Sequence, residues 1–284
     1  GLYFYRAAEM IYKHYGFEAN PWDHAIQYKT TILDRNRFPA DSGFEASFHF
    51  ELDRGVNRQG LRAVVERPEL WQVAINGKPV SPLPGAWYVD RAFAMYDISA
   101  HVVEGTNTIR LTARPFSVHH ELEPVYVVGD FGVRPQARGF RLVSAQPLKL
   151  GSWKEQDLPF YADWVSYSKS YRIEQPAGRY KVRLGRWHGI LAEVRVNGQR
   201  AGFIAWQPYE ADITDALQPG ENRIEVLVCG SPKNLFGPHH GKITPGLASP
   251  WSFRSAPDEM PSGTTYHQLD YGLMEDWQLI QVRP

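Results

Sequence analysis

The chain has a single cysteine, Cys229, among 284 residues. No internal disulfide can form, so cysteine usage leaves the redox compartment open. Cys229 lies in the apolar run IEVLVCG and reads as a small buried strand residue rather than a reactive thiol. Neither sign of charge is in excess, with 31 Lys+Arg against 31 Asp+Glu. That removes the electrostatic footprint of a nucleic-acid binder or of a protein held on an anionic membrane. No apolar run reaches the roughly 18 residues of a membrane-spanning helix, and no membrane insertion is expected. Gly-x-Gly-x-x-Gly, the Walker loop, the Gly-x-Ser-x-Gly elbow and Cys-x-x-Cys are all missing. Dinucleotide, nucleotide, esterase and dithiol chemistry therefore lose their support. The chain starts at Gly1 without a secretory n-region or h-region, which reads as a processed or excised piece of a longer protein.

What is abundant is aromatic: 9 Trp, 15 Tyr and 14 Phe. What is repeated is a motif. Residues 72–80 read QVAINGKPV and residues 193–202 read EVRVNGQRAG. Each pairs an alternating or apolar segment with Asn-Gly, the dipeptide best suited to a type I′ hairpin turn, which needs positive φ at both central residues. Downstream come YDISAHVVEGTNTIRLTA (96–113) and ADITDALQPGENRIEVLV (211–228). Asp97-Ile98, Gly105, Asn107 and Ile109 correspond to Asp212-Ile213, Gly220, Asn222 and Ile224. A motif of this length seen twice points to two related domains rather than a solenoid. The Asp residues read as backbone caps, and EGTN and PGEN as tight turns.

Further strand-like segments flank these: FEASFHFEL, LRAVVE, YSKSYRIE and YKVRLG. Many short strands joined by Gly/Pro turns, with little helix, define an all-β chain of tandem sandwiches. The expected division is a helical segment and linker over 1–27, one β-sandwich over 28–135 and a second over 136–284. LYFYRAAEMIYKHYG carries apolar residues at helical spacing, and Gly16 is a plausible stop.

A glycosidase needs two carboxylates across the scissile bond, roughly 5–10 Å apart. Glu121, Glu123, Asp130, Asp157, Asp163, Glu275 and Asp276 are available, but no spacing selects a pair, so no catalytic residue is assigned. The pairs His119-His120 and His239-His240 have no third ligand at zinc spacing, and neighbours on an extended chain face opposite ways, so no metal site is assigned. Among the loop aromatics, Trp206, Tyr209, Trp187 and Trp164 stand near polar groups. Together with Asp163, Asn234, His239 and His240 they form the candidate ligand set, since flat rings, amides and imidazoles suit a polyol with apolar ring faces. The competing role of these side chains is packing within or between the sandwiches.

The segments VRVNGQRAG and YEADITDALQPGENRIEV, and more weakly VAINGKPV and YDISAHVVEGTNTI, resemble the galactose-binding-like jelly roll of glycoside hydrolase family 2 and related enzymes. PFYADWVSYSKSY, LGRWHGILAEVRVNG, GSPKNLFGPHH and EPVYVVGDFGV are similar to the C-terminal part of large bacterial enzymes of the α-L-rhamnosidase type. The resemblance covers most of residues 28–284. It implies tandem galactose-binding-like jelly rolls with a short N-terminal helix. It also implies an ancillary carbohydrate-binding or structural region, acting on plant or microbial polysaccharide beside an upstream catalytic domain of the same polypeptide. A periplasmic or extracellular bacterial location follows from it. The alternatives are a chain that supplies residues to the active site of the intact glycosidase, or a purely structural or adhesion module. No cofactor is expected. Domains of this type often hold a structural calcium ion, and no dense Asp/Asn loop marks one here.

Overall fold

The structure is a computed structural model, and it describes residues 1–24, 26–174, 176, 178–241 and 249–282. The described residues are all-β apart from short helical pieces and one longer helix. It divides into two compact units, one of Gly1–Gln146 with Pro238–His267, the other of Pro147–Gly237 with Gln268–Pro284.

The first unit opens with helix α1 (Phe4–His14), whose buried residues Tyr5, Ala8, Ile11 and Tyr12 fall on one face at helical spacing. The helix ends at Gly16, at φ +84°, where the N–H of Phe17 returns to the Tyr12 carbonyl at 3.0 Å. Ten strands follow among the described residues: β1 (Phe44–Leu52), β2 (Arg62–Glu66), β3 (Gln72–Ile75), β4 (Lys78–Val80), β5 (Trp87–Tyr88), β6 (Asp90–Asp97), β7 (Gly105–Ala113), β8 (Tyr126–Val128), β9 (Gly132–Pro135) and β10 (Phe140–Val143). They form a six-stranded sheet ordered β4-β3-β7-β1-β10-β9 and a four-stranded sheet ordered β5-β6-β2-β8. The core takes Ala63, Val65 and Tyr96 from the smaller sheet and Ile75, Ile109 and Leu111 from the larger, and Ala8, Ile11 and Tyr12 of α1 join it. Alternation along β7 explains the pattern: Asn107, Ile109, Leu111 and Ala113 are buried, and their neighbours are not.

The second unit has, among the described residues, nine strands: β11 (Trp164–Ile173), β12 (Arg179–Arg183), β13 (Trp187–His188), β14 (Leu191–Val196), β15 (Gln199–Ile204), β16 (Glu210–Asp212), β17 (Gly220–Cys229), β18 (Gly272–Leu273) and β19 (Gln278–Val282). Its sheets are β11-β17-β14-β15, β16-β12-β19 and the pair β13-β18. Val182, Val194, Val196, Ile204, Ile224, Val226 and Val228 centre its core. Cys229 is half-buried at the end of β17.

The repeated motif performs the same physical task in both units. Asn76 and Gly77 sit at φ +48° and +80°, and Asn197 and Gly198 at +52° and +81°, as a type I′ turn requires. The turn asparagine then bonds to the buried asparagine of the following strand. In the first unit Asn107 Oδ1 accepts from the Val103 N–H (2.8 Å) and from Asn76 Nδ2 (2.9 Å), while its amide donates to the Val103 and Gly105 carbonyls (2.7 and 3.0 Å). In the second, Asn222 Oδ1 accepts from the Gln218 N–H (3.0 Å) and Asn197 Nδ2 (3.1 Å), and its amide donates to the Gln218 and Gly220 carbonyls (2.8 and 3.2 Å). Each turn asparagine also accepts from the strand, from the Thr108 N–H at 2.8 Å and the Arg223 N–H at 2.9 Å. A buried amide with four partners ties the hairpin to the turn before β7 or β17.

The aspartates cap as their position predicts. Asp97 accepts from the Ser99 N–H at 3.0 Å and pairs with Arg62; Asp212 accepts from the Thr214 N–H at 3.1 Å and pairs with Arg179. Hydrogen bonds from the hydroxyl and N–H of Thr214, then Arg179, hold the Asp212 carboxyl at about 2. Asp97 is lowered chiefly by the Ser99 N–H. A depressed carboxylate contributes stability that is complete above its unfolded value, near 4, and is lost as pH falls through the folded value. Acid titration is therefore expected to weaken the second unit between about pH 4 and pH 2, and the first unit as pH falls below the ordinary carboxylate value. Asp212→Asn is expected to flatten that slope for the second unit in chemical denaturation at stepped pH. An unchanged slope would contradict the capping role.

Candidate functional site

Two places carry groups suited to ligand contact, one in each unit. In the second unit, the loop between β15 and β16 projects Trp206, which is 78% exposed. Its base is fixed. Tyr209 packs against the second core and meets Trp187 edge-on, ring centroids 5.6 Å apart at 88°. Phe203, on the same hairpin, is exposed, with the Arg200 guanidinium 5.2 Å from its ring. Trp206 thus exposes its indole on a loop three residues before Tyr209, whose ring is held by Trp187.

The other residues of the sequence-derived set sit as follows. Asp163 accepts from the N–H of Trp164 at 2.9 Å, and Trp164 begins β11 opposite Cys229. The buried Asn234 amide bonds the Leu269 backbone in both directions, donating to its carbonyl at 2.9 Å and accepting its N–H at 2.8 Å. That clamp stays within the second unit. His239 and His240 belong to the first unit, in an aromatic cluster with Tyr3 and Tyr266. Burial pushes the His240 imidazole below its usual range. Within one unit, then, Trp187, Tyr209 and Trp206 are brought to one loop region, whereas the Asn234–His240 segment is shared between units.

The first unit contains a cavity of about 50 Å³ that sequence spacing does not single out. Val65, Leu70, Leu111, Pro124 and Val125 line its apolar part, Trp71 forms an aromatic wall, and Glu66, Arg67, His119, Glu121 and Glu123 supply the polar groups. Glu66 comes from the end of β2. Glu121 and Glu123 come from the extended segment before β8, where alternate residues share a side. Asn20 donates to Glu121 at 2.7 Å, and the Trp22 indole stacks on His119 at 5.8 Å. The adjacent His120 is a packing residue, with Nε2 2.9 Å from the Leu70 carbonyl. Burial raises all three carboxyls, and Glu123 is pushed up to about 8 by burial first and by the charges of Glu121 and Glu66 second. Among the described residues, no group of three or more His, Cys, Asp or Glu side chains is arranged to hold a metal ion.

Comparison with known proteins returns carbohydrate-active enzymes. No family profile matches the chain. A curated protein of Formosa agariphila, provisionally named a beta-glucuronidase, is 24% identical over 122 residues, which is 40% of this chain and 10% of the relative. Among solved structures, the rhamnosidase of Novosphingobium sp. PP1Y is 18% identical over 82% of this chain and 24% of its own, with a TM-score of 0.34. The Streptomyces avermitilis alpha-L-rhamnosidase is 15% identical over 87% and 27%, with a TM-score of 0.29, and the Bifidobacterium dentium beta-glucuronidase 22% identical over 48% and 25%, with a TM-score of 0.30. Each protein named is a glycoside hydrolase, the class the sequence resembles. The chain spans about a quarter or less of each one's length.

Proposed function

We propose that the chain is an ancillary, non-catalytic jelly-roll region of a glycoside hydrolase acting on plant or microbial polysaccharide, and that it contacts glycan through the Trp206 loop. The observation that carries the reading is the indole of Trp206, 78% exposed on a loop whose base is held by the Tyr209–Trp187 pair. Leaving a large apolar ring in water costs free energy that sugar stacking recovers. The partial likeness to a protein named a beta-glucuronidase supports the carbohydrate class. The proposal includes a catalytic domain upstream in the same polypeptide, as the sequence resemblance implies.

Affinity electrophoresis of the chain through gels containing soluble plant and bacterial polysaccharides tests this. One buried indole face, about half of the ring's 150–250 Å², is worth roughly 2 kcal/mol at about 25 cal/mol per Å², or close to 30-fold in affinity. Trp206→Ala is expected to lose about that much retardation while its melting temperature stays within a degree or two, because an exposed side chain contributes little to folding. Retardation unaffected by the substitution, or a parent chain that no polysaccharide retards, would contradict the proposal.

A further inference from the structure

The two units provide an internal comparison for the cavity. Strand registers align Arg62 with Lys181 through their partners Asp97 and Asp212, and Val64 with Arg183 through Tyr126 and Gln278. Counting along the chain from these pairs, Glu66 corresponds to Gly185, Glu121 to Leu273 and Glu123 to Glu275. In the second unit Glu275 fills the space beside Gly185, where an added Cβ would lie 1.8 Å from Glu275 Oε1. That oxygen accepts the Arg186 N–H at 2.6 Å. Leu273 is a core residue, 1% exposed. The second unit therefore builds the same corner with one carboxylate, satisfied by backbone. The first unit has three, and Glu123 makes no hydrogen bond or ion pair among the described residues. The fold does not demand this excess of acid, as its duplicate shows.

We propose that the cavity of the first unit binds the ammonium group of a small organic amine, a protonated amino sugar being the chemical type, between Glu66, Glu121 and Glu123 with Trp71 as its wall. The lining is rich in acid, with three carboxyl groups against one guanidinium and one imidazole, and this favours a cation. An anion would be repelled by the ionised carboxylates, and an ammonium, unlike a neutral hydroxyl, supplies the positive charge that lets Glu123 ionise as well. A metal ion is disfavoured, since among the described residues no three such side chains are arranged to hold one. An indole adds attraction for a cation and a surface for the adjoining carbon skeleton. Size limits what enters. About 50 Å³ is room for roughly three to five waters at about 10–15 Å³ each, enough for an ammonium and its attached carbon but not for a pyranose ring. The rest of the ligand lies at the mouth.

Burial leaves Glu123 protonated at neutral pH in the empty cavity. An ammonium beside it favours the carboxylate, so Glu123 gives its proton to the buffer as the amine enters. This site is in the other unit from Trp206, and it stands or falls independently of the glycan reading.

Isothermal titration of the intact chain at pH 7 tests it, with glucosamine hydrochloride as probe and glucose and N-acetylglucosamine as neutral controls, in two buffers of different ionisation enthalpy. Glucosamine is expected to bind with release of a fraction of a proton, up to one, and the neutral sugars to bind at least tenfold more weakly at this site. Glu66→Gln and Glu123→Gln are each expected to weaken glucosamine by about tenfold or more, and Glu123→Gln to abolish the buffer dependence. Glu123→Gln has a second readout. A carboxyl raised by burial costs the empty protein stability as pH climbs from the usual carboxylate range to about 8, so this variant should be at least as stable as the parent at pH 8. No heat with glucosamine, equal affinity for N-acetylglucosamine, or affinity indifferent to both substitutions would overturn the proposal. Binding of the neutral sugars alone, lost in Trp206→Ala, would also overturn it while leaving the glycan reading intact.

Discussion

Asn222→Ala is expected to cost the second unit about 3–5 kcal/mol, and Asn107→Ala as much in the first. Each asparagine is fully buried and uses both ends of its amide. Truncation removes four hydrogen bonds worth about 1 kcal/mol each net, and it strands a backbone N–H, two carbonyls and the partner amide in a dry interior. At roughly 2–4 °C per kcal/mol, the affected unit should melt about 10 °C lower. Asn→Asp is a sharper comparison. It keeps the acceptor but turns the donor that faced two carbonyls into a second oxygen, so it should be no better than Ala at neutral pH. Urea titration of each variant, with hydrogen exchange to assign the loss to β7 or β17, gives the numbers. A cost below about 1 kcal/mol would mean that the hairpin and the turn are held by something else.

Tyr12→Ala should have an effect of similar size by a different route. Tyr12 is fully buried in the first core, edge-on to Phe17 at 5.7 Å and to Phe116 at 6.1 Å, and its hydroxyl donates to the Val118 carbonyl at 2.9 Å. Removing the ring leaves a cavity and costs about 3–5 kcal/mol, whereas Tyr12→Phe forfeits one hydrogen bond and costs about 1–2. The ordering separates packing from bonding and tests whether α1 is an integral part of the first unit. If Tyr12→Ala melted with the parent, the helix would not be bound to that core.

Much of this architecture is written locally. The paired Asn-Gly turns, the Asp-Ile caps, the stop at Gly16 and the alternation along β7 and β17 depend on neighbours within a few residues, and sequence spacing is enough to find them. The buried role of Asn107 and Asn222 is not local. Each reads as one more residue of a tight turn, because its partner Asn76 or Asn197 lies 31 or 25 residues earlier. The cavity is hidden for the same reason. Glu121 and Glu123 visibly share a side of an extended segment, but Glu66 and Trp71 arrive from a different part of the sheet, and only pairing registers reveal that the duplicate has glycine and leucine there. Residues 238–267 likewise group with the first unit through packing of Phe253 and Tyr266 with Tyr3 and Phe4, contacts that no periodicity announces. Of the aromatic loop, the sequence supplies the residues, and the structure adds that Trp206 is free while Tyr209 and Trp187 are engaged.

The most direct test of a non-catalytic role is an assay of the purified 284-residue chain against a panel of aryl α- and β-glycosides, rhamnosides and glucuronides included, across mildly acidic to neutral pH. The account predicts release of aryl alcohol no faster than in buffer alone. Turnover of any of these substrates, removed by Glu123→Gln or by substitution of another single carboxylate, would show that the chain carries its own acid–base machinery and would contradict the account.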